Sequence, residues 1–420
     1  MTQPVAERFT AIDPAAFTAT VDVTDYDDIM FALSSRSFEK TRDKALGSPA
    51  ILDATVIDID GAPHTERRRI AAPLFRRVQL KRYDDEALRP AIDHVLARLD
   101  EARNADGFAR ADLGHLAQIV FAGFMTVMIG LDDVFPDHVE EFYECFDPID
   151  DAVRLRYTGG DAGKVEREVD QAFAKFISRF YRASWERRLK LLERAKAGEI
   201  SEDEIPLDLM TLMAQHREHF DAWDDQVMER EAVVYVSASI ANAINTSCST
   251  VDEITRWMVK TGTPREALFD IEFLTCAVEE TIRLYPSAPF LLRQVVETVN
   301  LPSGLTIESG RVAALQTLSA NHAMAGADGT EYNPTREIPR GRPRYGLSFG
   351  PGHHHCLGRP LIVGDRSHGT ASGARLGTAG IFLRAMFEHG MELDPDNPPL
   401  IDPTSNVNKW TTFPVRFAPR

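Results

Sequence analysis

Cys356 is the residue around which chemistry can be argued. It lies in LSFGPGHHHCLG, residues 347–358, and is the only one of four cysteines in a glycine-rich segment that also carries an aromatic residue and histidines. Gly350 and Gly352 allow positive φ and a close approach of backbone to a large flat ligand. Gly358 would relieve crowding just past the sulfur. Backbone N–H groups in such a loop can point at the sulfur and stabilise a thiolate. A thiolate beneath a planar macrocycle is an axial haem ligand. Zinc is the competing reading, because His353, His354, His355 and Cys356 are all ligand types. Four adjacent residues cannot converge tetrahedrally on one ion, and no second ligand pair stands elsewhere in the chain. The loop therefore favours haem.

The elements that must position this loop follow from periodicity and punctuation. Residues 80–285 hold few Gly and Pro and show helical spacing; residues 286–360 are dense in both. Helices are predicted over 26–33, 63–78, 87–100, 113–129, 165–197, 225–259 and 271–284. The sixth is apolar in its first half and rich in small polar residues in its middle. The seventh stops just before Pro286. Strands are predicted over 292–299, 305–307, 312–318 and 411–417. No stretch resembles an interdomain linker, so residues 1–420 are read as one mainly helical domain with a minor β part.

The cysteine loop resembles the haem-binding signature of the cytochrome P-450 superfamily, Phe-Gly-x-Gly-x-His-x-Cys-x-Gly, filled by Phe349, Gly350, Gly352, His354, Cys356 and Gly358. The resemblance extends over most of the chain. Glu280-Thr281-Ile282-Arg283 looks like the family's Glu-x-x-Arg pair, whose members share a helix face at i and i+3. Asn333-Pro334-Thr335-Arg336 looks like the later segment whose Arg joins that pair. The resemblance makes Cys356 the iron ligand and Phe349 the shield of its sulfur. It gives the haem propionates His64, Arg68, Arg293 and His354, and makes Glu280, Arg283 and Arg336 structural. It implies a cytochrome P-450 fold with haem b. The activity implied is a monooxygenase of the soluble bacterial type, fed electrons by a ferredoxin or flavodoxin and acting on a small apolar or aromatic molecule. The substrate would lie near Ser239, Ile240 and Ile244, then Ala288, Phe290 and Leu291, then Trp410 and Thr411.

Three departures qualify the match. The family's central helix usually reads Ala-Gly-x-Asp/Glu-Thr, whose acid and alcohol deliver protons. Counting back from Glu280 without gaps puts Ile244 and Asn245 there; shifting the gap puts Ser247 and Cys248. In every register residues 232–251 contain no Asp or Glu, which leaves hydroxyls and amides, with Asn245 and Thr246 the candidate catalytic groups. The second departure is a shortened N-terminal region before residue 21. The third is the Gly-, Ser- and Arg-rich stretch 359–380, expected as a mobile loop. Without the acid, use of peroxide, a non-oxygenating haem reaction or simple ligand binding by a haem protein stay open.

Composition bounds the rest. The net charge of −17 argues against a nucleic-acid partner, whose affinity rests on phosphate neutralisation. The apolar run 119–131 is too short to span a bilayer, and four cysteines at no framework spacing point to the cytoplasm. Basic residues nevertheless cluster at Arg67, Arg68, Arg69, Arg76, Arg77, Lys81 and Arg82, and at Arg336, Arg340, Arg342, Arg344 and Arg359. Both clusters are expected on the face nearest the cysteine, where an acidic electron donor would dock.

Overall fold

The computed structural model describes residues 19–41, 49–158, 162–220, 226–364, 375–403, 405, 407 and 409–419. Its axis is the 35-residue helix Val227–Thr261, closed by Gly262 at φ +70°. Left-handed φ is nearly free for glycine and costly for other residues, so the chain turns there. Against it packs Leu113–Ile129, which is buried on almost all sides. Such a helix is apolar all round because no face meets water. Its start is fixed by Asp112, whose carboxylate accepts from the His115 N–H at 2.9 Å, and its end by Gly130 at φ +95°.

Ile271–Leu284 lies across the central helix. Asp270 caps it, accepting from the Phe273 N–H at 2.7 Å, and Pro286 ends it. The region predicted as one helix over 165–197 runs as Ala162–Phe176, a π turn Ile177–Tyr181 and Arg182–Lys196. The predicted 63–78 helix is shorter than expected. Gly61–Ala71 passes into a 3₁₀ turn Ala72–Phe75, and Arg77–Tyr83 is a separate helix. Pro73 causes this break, because it cannot donate to the ladder of the preceding turn.

The β part is a four-stranded sheet in the order Thr20–Val23, Val312–Leu315, Leu291–Val295, Phe38–Lys40. Its first pair is parallel and the others antiparallel. A three-stranded sheet joins Ala109–Asp112, Pro414–Phe417 and Met391–Leu393. The register that matters is Lys40 opposite Arg293, which sets two cations side by side. The shortened N-terminal region expected before residue 21 falls mostly on 1–18, outside the described residues. Of the stretch 359–380, Arg359–Ile362 is helical and Thr378–Glu388 begins another helix. The rest of the expected mobile loop falls mostly on 365–374, outside the described residues.

Candidate haem site

The cysteine loop is pinned to the rest of the fold by glycine. Gly352 has φ +78°, and a Cβ there would stand 2.0 Å from the Leu33 carbonyl oxygen. Its smallness serves loop-to-helix packing rather than ligand approach. Gly358 differs from expectation as well. A Cβ there would meet the Cys356 sulfur at 3.7 Å, an ordinary contact; what the position contributes is a backbone N–H to the sulfur, together with that of Arg359. The Cys356 N–H in turn donates to the Phe349 carbonyl at 2.8 Å. Cys356 is exposed and lines a cavity. Enclosure raises the thiol pKa, against which the two N–H bonds and the nearby Arg68 and Arg359 act. Hydrogen bonds to the charged form favour it. Phe349 lines the same cavity and sits edge-on to Tyr345 at 4.9 Å.

Two cations, Arg293 and Lys40, edge this cavity together with the His354 ring, whose pKa burial lowers. His354 Nε2 meets Asp60 at 2.5 Å, and the Lys40 N–H donates to the same carboxylate at 2.8 Å. Burial acts to raise the Asp60 pKa, but these bonds outweigh it and hold the carboxyl at about 2. The buried His64 ring stacks behind His354 at 3.9 Å. Burial and the neighbouring His354 and Arg68 push its pKa down to about 3. Arg68 stands apart, bonded to the His355 ring at 3.0 Å. Lys40 was missed by sequence reasoning; only its strand register against Arg293 could have found it.

The opposite wall comes from the central helix. Ala238, Ser239, Asn242, Ala243 and Thr246 line the cavity, a 3–4 spacing that marks one helix face. Neither pairing from the sequence, Ile244 with Asn245 or Ser247 with Cys248, puts its second residue in the cavity. Thr246 is there, and Asn245 directly precedes it in the chain. Asn245 points aside; its Oδ1 accepts from the Trp410 N–H at 3.4 Å. Ser239, Asn242, Asn245, Ser247 and Thr250 each donate to a carbonyl one turn back. That is the usual fate of such groups inside a helix. Among the described residues Thr246 makes no such bond. Of the expected substrate contacts, Ser239, Ala288 and Leu291 line the cavity. Ile240 and Phe290 are buried in packing instead, and Ile244 and Trp410 lie against the core. Trp410 also donates from Nε1 to Ser249 Oγ at 2.9 Å, and Thr411 is exposed.

Behind the loop, Arg283 and Glu280 form a two-bonded pair at 2.7 and 2.9 Å with both side chains fully buried. Arg336 Nε reaches the same carboxylate at 3.3 Å. Its other donors meet the carbonyls of Ala325, Asp328 and Glu331. A buried ion pair persists only when its remaining donors are satisfied in this way.

These residues fit a haem. A thiol with converging N–H groups faces the cavity, and cations suited to two carboxylates edge it. The buried Tyr235 hydroxyl, without a hydrogen-bond partner, lies within electrostatic reach of Arg68 and Cys356. The zinc reading finds no support, since the loop histidines and Cys356 form no metal-type cluster; among the described residues the one such group is His216, Glu218 and His219.

Comparison with known proteins agrees with this geometry. The family model described as Cytochrome P450 matches residues 250–361. Mycinamicin IV hydroxylase/epoxidase of Micromonospora griseorubida is 24% identical over 348 residues, which are 81% of this chain and 77% of that protein. The match to cytochrome P450 4F12 of Homo sapiens is local, 29% over 117 residues, or 26% of this chain and 22% of that one. Among solved structures, P450BioI in complex with hexadec-9Z-enoic acid ligated acyl carrier protein superposes with TM-score 0.68 at 16% identity, over 95% of this chain and 92% of that one. CYP109E1 of Bacillus megaterium in complex with testosterone gives 0.66 at 18%, over 95% and 94%. The fold is that of these cytochrome P450 structures. Residues 250–361 thus carry the Cytochrome P450 family match, and the chain is similar over most of its length to a cytochrome P450-type hydroxylase/epoxidase.

Proposed function

We propose that this protein uses dioxygen and two electrons from a ferredoxin or flavodoxin to insert one oxygen atom into a small apolar or aromatic molecule. The observation that carries the reading is that the Cys356 sulfur and Thr246 line one cavity from opposite elements. Haem b, when bound, supplies the redox iron at which dioxygen is reduced and an oxygen atom is passed on. The protein's own residues hold and surround it. Cys356 is the thiolate ligand, and the N–H groups of Gly358 and Arg359 temper its charge. His354, Arg293 and Lys40 meet the propionates, with His64 behind them and Asp60 orienting His354. Phe121, Phe124, Met125, Ala288 and Leu291 give the cavity an apolar wall, which excludes water and suits an apolar ligand. Thr246 places a hydroxyl on that wall for proton transfer within hydrogen-bond reach.

The relatives whose names state a ligand include a hydroxylase/epoxidase of mycinamicin IV and a complex with testosterone, which supports an oxygen-inserting role on an apolar skeleton. A cytoplasmic location is suited to the four cysteines, which stand at no framework spacing. Among the described residues no helix is long and apolar enough to cross a membrane. One observation favours a second reading: residues 232–251 contain no Asp or Glu, so peroxide, which brings its own protons, is the alternative oxidant. Titration of the haem-loaded protein with a compound panel tests the first reading. A binder should shift the haem spin state and then give an oxygenated product with a ferredoxin, its reductase and NADH. Product with peroxide alone, and none with the electron-transfer chain, would favour the second.

A further inference from the structure

A second cavity, more polar than the first, runs beside the central helix. Asn242, Thr246, Tyr285 and Ser287 line both cavities, so the two meet there. Asn245, Ser249 and His322 line only the second. His322 Nε2 is buried there without a hydrogen-bond partner. A roomy site lined by polar groups, one of them unmatched, suits water. Tyr285 is the residue that connects this space to an acid, since its hydroxyl donates to Glu253 Oε1. Glu253 belongs to the central helix two turns beyond Thr246 and is partly exposed, its side chain at 14%.

We propose that this polar cavity is a proton conduit ending on Glu253 through the Tyr285 hydroxyl, and that it replaces the carboxylate missing from residues 232–251. The proposal rests on the monooxygenase reading above. Once Glu253 has taken a proton from solvent, the bond between them reverses: the Glu253 O–H donates to the Tyr285 oxygen, the Tyr285 O–H turns to cavity water and passes its proton on, and water hands one toward Thr246. One proton enters and one leaves at every link, so no charge is stranded in the wall. A phenol suits this step because it both donates and accepts. Burial and the adjacent Glu253 push the Tyr285 pKa up, so it stays protonated between transfers.

A competing acid exists. Asp150 accepts from Ser237 Oγ at 2.9 Å and pairs with Arg154 at 3.0 Å, and Arg154 lines the cavity. There the guanidinium stands between acid and water, and it does not release a proton in proteins. The route therefore runs to Glu253.

Tyr285→Phe, Glu253→Gln and Asp150→Asn, each haem-loaded, test this with two readouts. In a high-resolution crystal structure the unsubstituted protein should show ordered waters joining Thr246 Oγ1 to Tyr285 Oη, and Tyr285→Phe should lose the last of them. In turnover with dioxygen, Tyr285→Phe and Glu253→Gln should form at least about tenfold less product per NADH, with a larger solvent deuterium effect. Asp150→Asn should match the unsubstituted protein. A dry cavity, unchanged coupling in both variants, or the loss appearing in Asp150→Asn instead would overturn the proposal. Should Tyr285→Phe fail to take up haem, Glu253→Gln decides by the same readouts. A failure of the underlying reading is separable, because then the unsubstituted protein itself would lack a thiolate-type carbon monoxide adduct or oxygenated product.

Discussion

In the proposed reaction, Thr246 and Asn245 are the residues that bear on proton delivery to the oxygen side of the site. Thr246 lines the haem cavity while Asn245 is turned toward Trp410. Thr246→Ala should lower product per NADH by about tenfold or more and divert the electrons to peroxide. Asn245→Asp should raise coupling and should partly rescue Tyr285→Phe. Parallel assays of NADH, peroxide and product check both, and no change in either variant would reject this register. The sequence carried no motif from which to fix it, since both alignments were anchored on Glu280, some 34 residues away along a chain with no gap marker. A second residue-scale test lies at Asp60. Its folded pKa is about 2, below the ordinary carboxylate value near 4. Stability from the depressed pKa is therefore fully present above about pH 4 and is lost as pH falls toward about 2. Asp60→Asn should cost about 1–2 kcal/mol at pH 6 by urea denaturation, and the gap should narrow steadily below pH 4. A gap independent of pH would show that the His354 bond is not its source.

At the scale of elements, the loop and the helix behind it were legible because they are written in local spacing. Glycines at fixed offsets from Cys356, and Glu280 three residues before Arg283, need only one turn of context. Less was legible where partners are distant in sequence. Strands Thr20–Val23 and Phe38–Lys40 are too short for alternation to stand out. Val139–Thr158 carries Pro148 inside it, which disguises a helix, and it was not predicted as a separate element. Arg67 reads like its neighbours Arg68 and Arg69 but turns inward. It donates to the Ala54 carbonyl and lies 3.5 Å from Glu231, with both side chains almost fully buried. Gly352→Ala tests whether the loop depends on its seat against residues 26–34. With φ +78° and a Cβ 2.0 Å from the Leu33 oxygen, the loop must shift. Haem retention through gel filtration should fall at least about tenfold and Tm by several degrees, at a cost of about 2 kcal/mol or more. A variant that holds haem normally would show the seat to be dispensable.

Across the whole molecule, charge is uneven. Several cations of the two basic clusters are already matched: Arg69 by Glu66, Lys81 by Asp85, Arg82 by Glu86 and Arg342 by Asp27. Arg344 donates inward to the Arg336 carbonyl at 2.7 Å, so it is a poorer test of docking than the sequence implied. Arg77 and Arg359, one from each cluster, line a common groove next to the cysteine loop. On a chain of net charge −17, that groove is where an acidic electron carrier would be steered. Arg77→Glu with Arg359→Glu should slow reduction by a ferredoxin about tenfold at low ionic strength. The difference should shrink as salt is added, because screening removes steering from both proteins alike. Equal stopped-flow rates at low salt would place the docking face elsewhere.

All of these tests presuppose the Cys356 thiolate, and one spectrum addresses it directly. The haem-loaded protein is reduced, exposed to carbon monoxide and recorded beside Cys356→His and Cys356→Ser. The unsubstituted protein should give the red-shifted adduct of a thiolate-ligated haem. Cys356→His should give an imidazole-type spectrum or lose the haem, and Cys356→Ser should lose the red-shifted band. A wild-type band retained in Cys356→Ser, or one that vanished only on replacing Cys145, Cys248 or Cys276, would contradict the account at its centre.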